Sequence, residues 1–540
     1  MKKKLISLIL CLALAVTAFA ACGKKADDTS SSGTEGTTET TTDTAETTEA
    51  TAEKISFAVT GGGEDAMDVN PQSSGTLLGL SACRHLYEGL YKLDKDGNIS
   101  LAQAASAETS DDGLTWTFTL RDDITWSDGQ AVTAEDFTYG WQYLVDFSGD
   151  YSSLLEMIKE AKAVDEKTIE VTLAYPCAYL PSVLAFPSAY PARKDYVEQY
   201  GDAYATDPEK SVYNGAYEMT SWTHQESVVM TAREDYYDYA NITAGEITWD
   251  LMTETSTMLA SYKSGDIIYS DSYPDAEAAS LTEDLGYASG YNNYCAMFNV
   301  SESGPDVLKD VKVRKALSLA IDRQRIADIR GIDDELAYTY SPSGLYNSAG
   351  EDFIDTVTPW YDVDAYEANC EEAKALLKEA GYEGGKGFPA LNYIVGNEDR
   401  KTIAEAVIGD WKDVLGIDTI TVEIVDGFFA QRSSKDYDIA YFGWFMDYVD
   451  ISNMLYTMVS GVSDSGFSNA DYDAAYEAAT SSPDEATQWE NYAKCEAILA
   501  EEVPVAPILH STNSYLFNKA EYDGLVYYCG NYYFGYVTKK

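Results

Sequence analysis

The chain has 540 residues, 45% of them hydrophobic and 24% charged, which suits a large soluble body of about two to four structural units. Ninety acidic against 37 basic residues give a net charge of −53, a field that repels nucleic acid and anionic lipid headgroups and argues against both as partners. Beyond the N-terminus no run approaches the roughly 18 uninterrupted apolar residues of a transmembrane helix.

The chain opens on Lys2, Lys3 and Lys4, an apolar run over residues 5–18, and the small residues Ala20 and Ala21 before Cys22. This is the plan of a signal peptide, expected over residues 1–21. It is too short to persist as a spanning helix. A cysteine directly behind the cleavage point resembles the lipobox of bacterial lipoproteins, in which the Cys22 thiol is acylated and becomes the new N-terminus. The alternative is an ordinary secretory signal with an incidental cysteine. Residues 22–53 then read as a lipidated cysteine and a tether of Thr, Glu, Ser, Asp, Gly and Ala. Such a composition buries too little apolar surface to offset its ordering entropy, so the tether is expected to be disordered, with self-repelling acids keeping it extended.

The folded body is expected from about residue 54. Residues 55–60 are strand-like, and the glycines at 61–63 loosely fit GxGxxA. The DVNP that comes next at 68–71 interrupts the helix a dinucleotide site requires. DKDGN at 94–98 reads as a hairpin turn, because a calcium loop needs glycine where Ile99 stands and an acid where Ala105 stands. Residues 114–121 alternate with period two as a half-buried strand, and a helix begins at Thr133 as N-cap with acids in its first turn. Further on, 167–173 reads as a strand, 311–327 as one helix, and 365–380 and 400–415 as helices stopped by Gly381 and Gly416. Strands come next at 420–425 and 438–444, then helices at 471–479 and 486–500. Helices alternating with strands in both halves predict an α/β protein of two lobes.

No reaction chemistry emerges. Cys83, Cys177, Cys295, Cys370, Cys495 and Cys529 lie far apart with no CxxC pair, so export permits one or two disulfides while buried thiols fit equally well. The three histidines have no ligand spacing, and neither GxSxG nor a phosphate-binding GxxxxGK[ST] occurs. No metal, cofactor or catalytic residue is expected. The 43 tyrosines suit adaptable binding pockets as well as a core.

Eight segments, in order, resemble one family. They are LYEGL at 86–90, SDDGL at 110–114, LRDDITWSDG at 120–129, VTAEDF at 132–137, NGAY at 214–217, VKVRKAL with AIDR at 311–323, AKALLKEAG at 373–381 and GWFMDY at 443–448. Together they are similar to the extracytoplasmic solute-binding proteins of family 5, which include the oligopeptide- and dipeptide-binding components of ABC importers. The resemblance implies a periplasmic-binding-protein type II-like fold of the large peptide-binding kind, two lobes with a hinge plus a small extra domain. It also implies a discontinuous layout. The core lobe takes 54–87, 198–292 and 511–540, the small domain 88–197 and the second lobe 293–510, with crossovers near 292 and 510 as hinge. Arg314, Asp322 and Arg323 read as helix-face salt bridges, not ligand contacts.

By the same resemblance an extended peptide lies between the lobes, paired through its backbone with Gly443, Trp444 and Phe445 and with Gly75, Thr76 and Leu77 opposite. Asp447 matches the aspartate that holds a peptide's α-ammonium, with capping of a local turn as the alternative. Tyr441 stands where relatives place a cation for the terminal carboxylate. Arg400 is the substitute candidate or a surface arginine, and Tyr151 matches a pocket-lining aromatic. The implied protein is a non-enzymatic, monomeric, membrane-anchored receptor at the cell surface or in the periplasm that hands oligopeptides to an ABC permease. Another solute on the same scaffold, such as an oligosaccharide, a nickel complex or haem, and a peptide sensor without transport remain alternatives.

Overall fold

In the computed structural model, residues 54–62, 67–147, 151–274, 277, 280–289, 291–347 and 349–540 are described, and their strands gather into three principal sheets. The signal segment, Cys22 and the tether lie outside the described residues. A seven-stranded sheet contains Ile55–Gly62, Tyr217–Thr223, Ser227–Ala232, Ala244–Met252, Tyr269–Ser270, Leu285–Ser289 and Thr512–Phe517. A six-stranded sheet contains Asn292–Phe298, Glu335–Leu336, Leu391–Val395, Ile420–Ile424, Ile439–Phe445 and Val505–His510. The chain passes from the first sheet to the second between Ser289 and Asn292 and returns between His510 and Thr512. A four-stranded antiparallel sheet of Ala104–Thr109, Thr115–Leu120, Ile158–Ala163 and Thr168–Leu173 forms a third body. This is the mixed α/β architecture expected.

Local sequence signals account for most of the element boundaries. Helix Ala134–Phe147 begins behind Thr133, whose backbone N–H and hydroxyl both donate to Asp136 Oδ2, at 2.9 and 3.1 Å. The same oxygen accepts from the indole of fully buried Trp126 at 3.2 Å, so one acid ties the TWSDG turn to the helix. Helix Glu398–Leu415 starts on Asn397, not at Arg400, and ends at Gly416, whose φ of 72° needs a residue without Cβ. DKDGN is a hairpin turn between Tyr91–Leu93 and Ile99–Leu101.

The stretch 311–327 is not one helix. It breaks into Val311–Leu319 and Arg323–Arg330 because Asp322 N-caps the second, its Oδ1 accepting from Arg325 N at 3.0 Å. Nor are the two arginines there mainly salt-bridged. Arg323 is buried and donates to the carbonyls of Pro507, Ser318 and Ile321, while Arg314 clamps those of Leu308, Lys309, Glu502 and Val503, with Glu502's carboxylate 3.6 Å away. Their five-donor forks collect carbonyls that loops would otherwise leave unpaired, which is a structural task.

Two large apolar cores result, one beneath the seven- and four-stranded sheets and one around the six-stranded sheet. The C-terminal segment is pinned to the first of these by His85. Its Nε2 accepts from Phe534 N at 2.9 Å, which leaves the ring proton on Nδ1 to donate to Ser81 O at 2.7 Å. Burial lowers the His85 pKa to about 4, so the neutral ring persists. The six cysteines from Cys83 onward are buried free thiols. Among the described residues no helix is long and apolar enough to cross a membrane, and no group of side chains has the makings of a metal site.

Candidate functional site

A cavity of about 590 Å³ opens between helix Leu77–Leu86, the rim of the four-stranded sheet and one end of the six-stranded sheet. Leu77 comes from the first turn of helix Leu77–Leu86, and Tyr151, Glu156, Tyr175 and Tyr179 flank the four-stranded sheet. Gly443, Trp444, Phe445, Asp447 and Asn453 come from the end of strand Ile439–Phe445 and the helix after it. Half of the lining residues are aromatic. Leu77, Phe429 and Phe445 are 40%, 62% and 39% exposed, large apolar surfaces turned toward water inside a concavity, which is the chemistry of a ligand pocket.

Strand Ile439–Phe445 supplies a backbone edge. On one side it pairs throughout with Asn292–Phe298, Gly443 facing Tyr294 and Phe445 facing Asn292. On the other side, strand Leu391–Val395 pairs only with Ile439 and Ala440. Among the described residues that second edge has no strand partner at Gly443, Trp444 and Phe445. A Cβ at Gly443 would collide with the Tyr441 ring and meet Asn293 O at 3.0 Å, so only glycine fits there.

Asn453 organises the end of that strand and the turn beyond it. Its Oδ1 accepts from the Trp444 indole at 2.9 Å and from Asp447 N at 3.2 Å, and its Nδ2 donates to Asp447 Oδ2 at 3.3 Å. The cap of helix Ile451–Tyr456 is Asp450, which accepts from Ser452 N at 2.8 Å, so Asp447 is not consumed by the local turn. The residue is half-buried, but its carboxyl is recessed. Burial raises its pKa to about 6, partly offset by the Asn453 hydrogen bond.

The expected ligand residues separate into two groups. Asp447, Trp444, Phe445, Gly443, Leu77 and Tyr151 line the one cavity, Tyr151 packing at 4.8 Å against Phe186. Thr76 is the N-cap of helix Leu77–Leu86, its hydroxyl accepting from Gly79 N at 3.1 Å, with Gly75 just outside. Arg400 lies apart from the cavity lining, its guanidinium 4.3 Å from the Tyr441 ring.

Sequence reasoning missed Arg432, the basic residue that does line the cavity. It is buried, its Nε donates to Asp464 at 2.8 Å, and its NH1 lies 3.5 Å from Tyr441 O. It also missed Asn453, whose only signal was its place in the first turn after Asp450.

Residues 98–466 match the model of the bacterial extracellular solute-binding proteins, family 5. The chain is 30% identical over 486 residues to the periplasmic oligopeptide-binding protein OppA of Salmonella typhimurium, covering 85% of this chain and 88% of that one. It is 28% identical over 475 residues to the probable deoxycholate-binding periplasmic protein YgiS of Escherichia coli, covering 83% and 86%. The fold matches the substrate-binding domain of an oligopeptide ABC transporter from Bacillus anthracis with a TM-score of 0.73 and 29% identity, covering 90% of this chain and all of that one.

Proposed function

The chain belongs to the bacterial extracellular solute-binding proteins of family 5, and from that premise we propose that it captures oligopeptides outside the cell membrane and delivers them to an ABC permease. The observation that carries this reading is the backbone edge without a strand partner at Gly443, Trp444 and Phe445, among the described residues, ending beside the recessed carboxylate of Asp447. An extended peptide adds to such an edge as a further strand, and its α-ammonium supplies the charge that Asp447 lacks. The edge is blind to side chains, so specificity falls to the aromatic pockets around it.

In this reading the protein binds and releases without a catalytic step, as a monomer anchored through an acylated Cys22. The body over 54–87, 198–292 and 511–540 and the second lobe over 293–510 close on the ligand about the crossovers near 292 and 510, with 88–197 as a third wall. The stacked pair Tyr179 and Tyr448, with ring centroids 5.0 Å apart, supports such a closure, as it joins the third wall to the second lobe.

Titration calorimetry with free and N-acetylated forms of the same peptides tests the assignment. Free peptides should bind and acetylated ones should bind far more weakly. Equal affinities would remove Asp447 as an anchor. The aromatic lining favours one second reading, an apolar or sugar-like solute stacked on Trp444 and Tyr448. Mass spectrometry of small molecules co-purifying with the protein separates the two.

A further inference from the structure

We infer, resting on the peptide-capture reading, that this cleft selects peptides bearing a second positive charge, with Glu156 between Tyr175 and Tyr456 receiving a lysine or arginine side chain. The placement comes from the antiparallel ladder of the small sheet. Ile158 pairs with Leu173, and Ala174 N donates to Met157 O at 2.8 Å. One step further along this hairpin, Glu156 and Tyr175 stand beside each other at the cavity wall. Tyr456, the last residue of helix Ile451–Tyr456, lines the same cavity from the six-stranded-sheet side. Burial makes both phenols less acidic, and the charge of Glu156 acts on each in the same direction as a smaller cause.

The charge balance of the cavity gives the ligand its sign. Two carboxylates, Asp447 and Glu156, and one guanidinium, Arg432, line it, and Arg432 is already committed to Asp464. Glu156 has no salt-bridge partner among the described residues, and partial burial alone raises its pKa. A bound peptide's ammonium compensates Asp447 and leaves Glu156 unmatched. A basic side chain of the same peptide would match it, with the tyrosine faces adding attraction for the cation. Glu156 is exposed to water at the cavity rim, so a long flexible side chain can reach it without full desolvation of its charged head.

The test is calorimetry on the whole chain with free-amino-terminus tetrapeptides of alanine carrying one lysine or one norleucine at the second, third or fourth position. Norleucine keeps the alkyl stem and removes the charge. At one position lysine should bind about tenfold more tightly than norleucine, and Glu156→Gln should bring that ratio close to one. Glu156→Lys should turn the preference at that position toward glutamate, which shows that the variant protein still folds and binds. Equal affinity for lysine and norleucine at every position would overturn the inference while leaving peptide capture standing. A lysine preference that persists in Glu156→Gln would overturn the assignment to Glu156. Failure of every peptide to bind would remove both this inference and the reading beneath it.

Discussion

Two buried carboxylates attached to the six-stranded sheet are treated in opposite ways. Glu496, in helix Glu485–Glu502, accepts from Tyr340 N at 3.2 Å, Ser341 N at 2.6 Å and the Trp360 indole at 3.1 Å. Asp447 accepts one side-chain hydrogen bond, at 3.3 Å, and faces a cavity. Burial raises both pKa values, but Glu496 is satisfied by its own chain and Asp447 is left for a partner from outside. A buried acid with its lone pairs filled is scaffold. One with them open is a candidate site. The two are also connected, because the Tyr340 carbonyl accepts from Asn293 Nδ2 and Asn293 Oδ1 accepts from Trp444 N.

The comparison breaks most visibly at Glu496. Glu496→Ala leaves two buried backbone donors and the half-buried Trp360 indole unpaired and should cost about 3–5 kcal/mol of stability, read from denaturant unfolding. A loss below about 1 kcal/mol would mean the donors find water and Glu496 is not scaffold. Asp447→Ala should show the reverse pattern. Peptide affinity should fall by about 2–4 kcal/mol with stability at neutral pH undiminished or raised, and retained affinity would show that the ammonium is held elsewhere.

Asp447 also predicts a pH profile. Its pKa in the free folded protein, about 6, lies above the ordinary aspartate value of 3.8, so the charged form opposes folding and this destabilisation grows as pH rises from 4 through 6. Ligand binding has the opposite sign, because an ammonium selects the carboxylate. Affinity for free-amino-terminus peptides should be highest between about pH 6 and 8, where the carboxylate and the α-ammonium are both charged, and fall as pH drops through 6. Asp447→Asn should flatten that profile, and an unchanged profile in the variant would place the titrating group elsewhere.

Much of this molecule was legible in its residues, for reasons that differ by region. Helix ends were readable where a single side chain decides them, as at Thr133, Gly416 and Gly381. The break at Asp322 was hidden because the apolar stripe of 311–327 continues across it, and only the side chain turning back to cap Arg325 N reveals the interruption. Gly443, Trp444 and Asp447 were legible as a contiguous motif. Arg432 and Glu156 were not, since each acquires meaning only from groups distant in sequence: Asp464 for the first, Tyr175 and Tyr456 for the second. Charge on an acidic chain is uninformative until the fold shows which carboxylates lack partners.

Asn453 tests the finest part of the contrast. It contacts no backbone edge and carries no charge, yet it holds the Trp444 indole, the Asp447 amide and the Asp447 carboxylate with one side chain. Asn453→Ala removes one long hydrogen bond from an uncharged amide to the carboxylate and frees both donors to the water of the cavity, so affinity should fall by only about 1 kcal/mol. Because that bond lowers the Asp447 pKa, its removal should also move the midpoint of the affinity–pH profile upward. An affinity loss with an unmoved midpoint would mean that Asn453 acts by positioning Trp444 alone.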